Sequence, residues 1–226
     1  MNIAIIAAAG SGTRMASDRP KQFLLLAGTP VIIHTLKVFE QCESIHEVIV
    51  VLPAAESAGF LSLAVKFGLR KVSRVVSGGV TRADSVKRGL ASIRAATAEI
   101  VAVHDGVRPF VTTDEIDATV AAAQADGAAI LVAPVTDTIK QVSTGRVEMT
   151  LDRSCLRRAL TPQCFRYELL RDAYQQADVN DPSLTDESAL VEQLGRPVSI
   201  VEGSARNIKI TTAEDLAIAE AILATD

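Results

Sequence analysis

Tryptophan is missing from this chain, tyrosine occurs twice, and aromatic residues make up only 4% of its 226 positions. A platform for single-stranded nucleic acid stacks bases on aromatic rings, so this sequence has little material for one. A basic excess is also missing: the formal charge is -4, and no global field gathers polyanions. Any polyanionic ligand must be met by local groups of Arg and Lys. The three cysteines, Cys42, Cys155 and Cys164, are an odd set without paired spacing. They read as ordinary thiols of a reducing, cytoplasmic compartment. His34, His46 and His104 show no metal-ligand spacing. No apolar run approaches the ~20 residues of a membrane-spanning helix. The N-terminal MNIAIIAAAGSG has no cationic segment before it and passes at once into glycine and polar residues, unlike a secretory signal.

What is present is alternation. Hydrophobic residues are 48% of the chain and charged residues 22%, ample for one packed α/β domain. Short apolar runs predict strands over 3–8, 48–52, 72–76, 100–104 and 129–134. Helical spacing follows Pro30 and recurs over 56–67, 81–96 and 114–124. Further helices are expected over 167–177 and 185–194, and strands over 198–201 and 207–210. Thr212 to Asp215 has the form of a capping box at the last helix, with Asp in place of Glu. Continuous apolar strands alternating with helices predict a mostly parallel sheet covered on both faces. Ligands of such sheets bind beyond the C-terminal strand ends, so the loops after Ala8, Val76, His104 and Pro134 should converge. Residues 135–151 break the pattern: Val147, Met149 and Leu151 alternate with polar residues, and Ser143-Thr144-Gly145 signals a turn. This predicts an inserted hairpin, either a dimer arm or a ribbon folded back on its own domain. No repeat or linker divides residues 1–226, so one domain carrying an arm at about 136–156 is expected.

Three clusters carry chemistry. Ala7-Ala8-Ala9-Gly10-Ser11-Gly12-Thr13-Arg14-Met15 follows a strand, and its small residues let backbone N–H groups approach a phosphate. It lacks the Gly-Lys-Ser/Thr of a Walker A loop, and Met15 stands where a dinucleotide fingerprint needs a third small residue. Arg14 and Lys21 flank the next loop, a cation pair suited to a triphosphate. The second cluster, Gly78-Gly79-Val80-Thr81-Arg82-Ala83-Asp84-Ser85, also joins a strand to a helix. Gly79 and Ser85 could line a base pocket, whereas Arg82 and Asp84 could equally be first-turn helix residues. The third is His104-Asp105-Gly106-Val107-Arg108-Pro109. An acid at the end of a buried strand needs a partner. Mg2+, bound through one or two carboxylates and substrate phosphates, is the expected one, with Asp105 as ligand. Arg108 could neutralise substrate phosphate or hold the loop. His104 reads as a packed, hydrogen-bonded histidine, since no Gly-x-Ser-x-Gly elbow accompanies it.

AAAGSGTRM, PKQF, GGVTRADSV, HDGVRPF, APVTDTIK, LTPQCF, TDE and NIKIT occur in that order. Together they resemble the 2-C-methyl-D-erythritol 4-phosphate cytidylyltransferases of the non-mevalonate isoprenoid pathway, over nearly the whole chain from Ile3 to Ala219. The resemblance implies a three-layer α/β fold of the nucleotide-diphospho-sugar-transferase type, Rossmann-like, and a homodimer with interlocking arms. It also implies Mg2+-dependent use of CTP. Arg14 and Lys21 match triphosphate-binding cations that stabilise the transition state, and Lys209 a lysine reaching the α-phosphate. Ala8, Ala9, Gly79 and Ser85 match cytosine-recognising positions, with Gly10 and Gly12 in the same CTP site. Asp105 matches a residue holding ribose and metal. Gly106, Arg108 and Thr138 match the methylerythritol phosphate site, and Arg153 an arginine donated across the dimer. Val107 and Ala7 depart from the family's frequent Ala and Pro without removing a charge.

The expected reaction is in-line attack of the acceptor's phosphate on the α-phosphorus of CTP. A phosphate monoester is already anionic near pH 7, with a second pKa of ~6, so no general base is required. A ribitol 5-phosphate cytidylyltransferase shares this chemistry and is the nearest alternative. A non-catalytic nucleotide-binding protein is the alternative of a different class; it would be expected to lack one of Arg14, Lys21, Asp105 and Lys209, all of which are present.

Overall fold

The computed structural model of the protein describes residues 1–10, 20–179, 181 and 184–225. Its strands are β1 (Ile3–Ala7), β2 (Leu25–Leu26), β3 (Thr29–Pro30), β4 (Glu47–Leu52), β5 (Val72–Ser77), β6 (Ile100–Asp105), β7 (Ala128–Pro134), β8 (Lys140–Ser143), β9 (Arg146–Thr150), β10 (Arg157–Arg166) and β11 (Ser199–Glu202). Its helices are α1 (Val31–Gln41), α2 (Ala54–Ser57), α3 (Phe60–Lys66), α4 (Arg82–Ala91), α5 (Thr113–Asp126), α6 (Tyr167–Gln176), α7 (Glu187–Gln193) and α8 (Ala213–Leu223). Seven strands form one sheet in the order β11-β7-β10-β6-β1-β4-β5. All neighbours are parallel except β10, which is antiparallel to both β6 and β7.

Strand periodicity explains the three layers. Along β1, Ala4 and Ile6 point to one face, with Ile32, Leu36 and Phe39 of α1 and Ile116 and Val120 of α5. Ile3 and Ile5 point to the other, with Val86 and Leu90 of α4, Leu170 and Tyr174 of α6, and Leu190 of α7. Successive side chains of a strand alternate, so a strand covered on both faces must be apolar throughout, as β1 is. The expected α/β architecture is the observed one. Among the described residues no helix is long and apolar enough to cross a membrane.

Several expectations needed correction. The helix expected over 56–67 is two short helices, because Gly59 adopts φ +87 between them. The helix over 81–96 ends at Ala91. Residues 207–210 form no strand; Ile210 makes one ladder-like bond, from its N–H to the Val107 carbonyl at 2.9 Å. The long central strand β10 was not foreseen. Pro162 argues against a central strand, since it offers no N–H to a ladder. The sheet accommodates it by a shift of the β10–β7 register between Ala159 and Gln163.

The hairpin is present as β8 and β9. Ser143 pairs with Arg146, leaving a two-residue turn in which Thr144 (φ +48) and Gly145 (φ +75) are both left-handed. That turn matches the right-handed twist of the flanking strands.

Candidate active site

In the sheet Ala7 is the register partner of Asp105. The first small-residue turn and the acidic loop therefore leave adjacent strands side by side. The turn after β5 joins them at the same edge, where strand order reverses around β1. Between them lies a cavity of about 400 Å³. Of the residues singled out from the sequence, Ala8, Ala9, Gly10, Lys21, Gly79, Ser85, Asp105 and Lys209 line it, joined by Gln22, Thr81 and Arg82. The small residues are needed where the turns touch. A Cβ on Gly78 would stand 2.2 Å from the Ala9 Cβ, and one on Gly106 would stand 2.8 Å from the Ala8 Cβ. Gln22, buried beside Lys21, donates its Nε2 to the Ala8 carbonyl at 2.7 Å and ties the lysine's turn to the first loop.

Asp105 is the electrostatic centre. Its Oδ1 accepts from Arg82 Nε at 3.1 Å; its Oδ2 accepts from Arg108 Nε at 3.2 Å and pairs with Lys209 Nζ at 3.0 Å. Burial pushes this carboxyl's pKa up, but Arg82, Lys209 and Arg108 together more than reverse that and hold it well below the usual carboxylate range. Arg108 Nη1 also donates to the Asn207 carbonyl at 2.8 Å, so the segment carrying Lys209 is pinned to the acidic loop.

The turn after β5 is held by α4. Thr81 caps the helix, its side chain accepting from the Asp84 N–H at 3.0 Å. The Ser85 hydroxyl accepts from the Gly79 N–H at 3.0 Å and donates to the Thr81 carbonyl at 2.8 Å. It therefore shapes the turn besides lining the pocket.

His104 is fully buried, as expected of a packed histidine. Its Nε2 faces the Arg108 carbonyl at 3.1 Å, which can only accept, so Nε2 carries the proton. Nδ1 then accepts from the Thr161 hydroxyl at 3.0 Å, whose oxygen accepts from the Asp105 N–H at 3.1 Å. Burial lowers the imidazole pKa to about 4, keeping it neutral.

Sequence reasoning left Arg82 open and assigned no role to Glu187, Thr161 or Gln163. Arg82 Nη1 donates to Glu187 Oε1 at 2.8 Å and Oε2 at 2.9 Å. Gln163 Oε1 accepts from the Glu187 N–H at 3.1 Å, and its Nε2 donates to Asp186 at 2.9 Å. The strings LTPQCF and TDE held the signal, because polar residues inside a buried strand and at a helix start require partners.

Gly106 and Arg108 lie behind the pocket wall, next to Ala8 and Asp105. Thr138 is exposed on the way into the hairpin. Arg153 is exposed just beyond it, and its guanidinium donates to the Thr136 carbonyl. Neither lines the pocket. Gly12 and Arg14 lie outside the described residues.

Among the described residues no three His, Cys, Asp or Glu side chains converge on a metal position. Asp105 is the one carboxylate among the pocket's described lining residues. Its Oδ1 accepts a single bond from these residues, leaving a lone pair. That donor set fits an Mg2+ ion taking one protein carboxylate and filling its shell from phosphates and water.

A cavity at the strand ends of a parallel sheet, with small-residue turns on one side and Lys21 and Lys209 on the other, belongs to an α/β nucleotidyltransferase. Within that class the chain is a member of the IspD family, 2-C-methyl-D-erythritol 4-phosphate cytidylyltransferase, whose model matches residues 2–225. It is 46% identical over 222 residues to the 2-C-methyl-D-erythritol 4-phosphate cytidylyltransferase of Pelotomaculum thermopropionicum, covering 97% of this chain and 93% of that one. Its structure is similar to 4-diphosphocytidyl-2C-methyl-D-erythritol synthase from Anaerococcus prevotii, with TM-score 0.86 and 31% identity over 99% of this chain and 96% of the other. It is also similar to the Thermus thermophilus 2-C-methyl-D-erythritol 4-phosphate cytidylyltransferase, with TM-score 0.78 and 34% identity over 97% of each chain.

Proposed function

We propose that this pocket carries out the family's reaction, transfer of CMP from CTP to 2-C-methyl-D-erythritol 4-phosphate. The observation that carries the reading is the meeting of Lys21, Lys209 and Asp105 with the Ala8–Gly79 turns around one cavity of nucleotide-binding size. A phosphate oxygen of the acceptor forms a bond to the α-phosphorus of CTP. The bond from that phosphorus to the bridging oxygen breaks, and pyrophosphate leaves with the electron pair. Such transfer depends on positioning and on neutralising charge rather than on covalent help.

In this reading Lys21 and Arg14 hold the triphosphate and the charge growing on pyrophosphate, and Lys209 meets the α-phosphate. Ala8, Ala9, Gly10, Gly12, Gly79 and Ser85 receive the nucleotide. Gly106, Arg108 and Thr138 receive the acceptor, with Arg153 supplied by a second copy. Asp105 holds the ribose and Mg2+, and the bound ion would add Lewis-acid charge neutralisation on phosphate oxygens. No residue need act as general base, and neutral His104 is spent on holding the loop.

The whole chain acts as one catalytic domain in this reading, and its arm makes a homodimer. Val142, Val147 and Met149 are 65%, 61% and 52% exposed, an apolar set on a ribbon that supports such pairing. A cytoplasmic location suits the three free thiols.

The test is pyrophosphate release from CTP and Mg2+ with methylerythritol phosphate, with ribitol 5-phosphate, and with neither. Release only with methylerythritol phosphate is expected. Release only with ribitol phosphate would keep the chemistry and replace the acceptor. Binding of CTP without release from either would make the chain a nucleotide-binding protein and sink the catalytic reading.

A further inference from the structure

Glu187 has 1% of its side chain exposed, and a charge buried that deeply is costly unless it is paired. It is paired with two groups. Both its oxygens accept from Arg82 Nη1, and Oε1 also accepts from the Tyr174 hydroxyl at 2.9 Å. The same guanidinium gives its Nε to Asp105. Arg82 is thus gripped by carboxylates from two elements, the start of α7 and the end of β6. A planar guanidinium held along two edges has no freedom to swing. Its third edge, Nη2 with two N–H groups, bonds to no acceptor among the described residues. Arg82 lines the cavity with 28% of its side chain exposed.

The charges divide the pocket. Arg82 and Glu187 cancel, so the wall of Gly79, Thr81, Arg82 and Ser85 is close to neutral. Asp105 joins the two parts: its Oδ1 faces Arg82, while its Oδ2 faces Arg108 and Lys209, an excess of one positive charge on that side, and Lys21 also lines the cavity. A triphosphate is drawn to the second wall. An uncharged nucleoside, rich in carbonyl and hydroxyl acceptors, suits the first.

We propose that Glu187 is a positioning residue: it holds Arg82 as a fixed hydrogen-bond donor to the nucleoside half of the nucleotide and keeps that guanidinium off the triphosphate. Tyr174 is the lesser part of the same clamp. The proposal rests on the pocket being a nucleotide site, and it deepens that reading by giving the two halves of the ligand different walls.

Isothermal titration of CMP and of pyrophosphate, each alone, tests it in the wild type, in Glu187→Gln and in Tyr174→Phe. Glu187→Gln keeps the shape but frees Arg82. Its CMP affinity should fall about ten-fold, equivalent to about 1.4 kcal/mol, with pyrophosphate affinity unchanged within about two-fold. In turnover, KM for CTP should rise with kcat nearly constant, because the contact is made alike in ground and transition states. Tyr174→Phe removes one hydrogen bond and should weaken CMP about two- to three-fold, again without touching pyrophosphate. A merely structural Glu187 would weaken both ligands alike. Equal losses, or unchanged CMP affinity in a folded variant, would overturn the clamp. If Glu187→Gln does not fold, the CMP-to-pyrophosphate ratio in Tyr174→Phe decides. Wild type that binds CMP but turns over no acceptor refutes the catalytic reading, whereas the ratio between variants still judges the clamp.

Discussion

Asp105 and Met149 stand at two extremes of this molecule. The first is 5% exposed and held by three cations from three segments; the second is 52% exposed on a two-stranded ribbon whose every residue faces outward. Among the described residues the pocket's Asp105 meets three cations, its turns close on glycine, and His104 is satisfied at both nitrogens. The hairpin differs. A two-stranded ribbon is marginal by itself in water, and Val142, Val147 and Met149 have apolar surface that no described residue covers. Asp105 and its partners are thus held by contacts within the chain, while the arm turns apolar side chains outward.

The largest effect belongs to the pocket. Lys21→Ala should lower kcat for pyrophosphate release by roughly 10²–10³-fold, the scale of losing one charge-stabilising donor in a preorganised site. Thermal unfolding should barely change, because a cavity-lining lysine adds little to the core. Near-normal turnover by folded variant protein would remove Lys21 from the mechanism. Next comes the arm. Met149→Asp places a charge in the proposed dimer contact and should weaken self-association by at least about ten-fold, since burying a Met side chain is worth roughly 1.5–3 kcal/mol. Sedimentation velocity over a concentration series reads this directly. An unchanged dimer would show that the ribbon is covered by something other than a second arm.

The same division governed what the sequence could reveal. β1, β4, β6 and β7 were legible because a strand covered on both faces must be a continuous apolar run. The hairpin was legible because alternation and a Thr-Gly turn survive without any tertiary partner. β10 was hidden: Thr161, Pro162 and Gln163 look wrong for a central strand until Asp105, His104 and the α7 N-terminus supply their partners. Lys209 could be placed in the pocket only by family resemblance, because the residues around it do not form the strand their pattern suggested. Gly79 and Asp105 could be placed at strand ends, and Ser85 at the start of a helix, by pattern alone, but the grip of Glu187 on Arg82 joins residues 105 positions apart and leaves no local trace.

Two glycines turn the comparison into a matched pair. Gly106 has an ordinary φ but no room, with the Ala8 Cβ 2.8 Å from any added Cβ, whereas Gly145 has open space but φ +75. Gly106→Ala should lower unfolding free energy by about 1–3 kcal/mol, the usual range for overpacking a core. It should also raise KM for CTP, because the turn that must give way carries Ala8. Gly145→Ala strains one turn by roughly 1–2 kcal/mol. That strain falls on a ribbon outside the cooperative core, so chemical denaturation should move far less. A Gly145→Ala loss as large as that of Gly106→Ala would mean the arm is part of the core's unfolding unit.

The smallest effect is a contrast in thiol reactivity. Cys42 is buried, and burial together with its hydrogen bond to Asp117 pushes its pKa up to about 11. Cys164 is fully buried, and burial raises its pKa further. Cys155, just past β9, is exposed. Only the thiolate is a competent nucleophile, so at pH 8 iodoacetamide should label Cys155 in the native protein and reach the other two only after unfolding. Mass mapping of the labelled peptides gives the order. Labelling of Cys164 at the pace of Cys155 would show that the sheet beside β10 opens under native conditions, and the rigid side of the comparison would fail. If Cys155 instead labels slowly in the wild type and quickly in Met149→Asp, the thiol is being shielded by the same partner surface that covers the arm. The slow reaction would then measure how often that surface lets go.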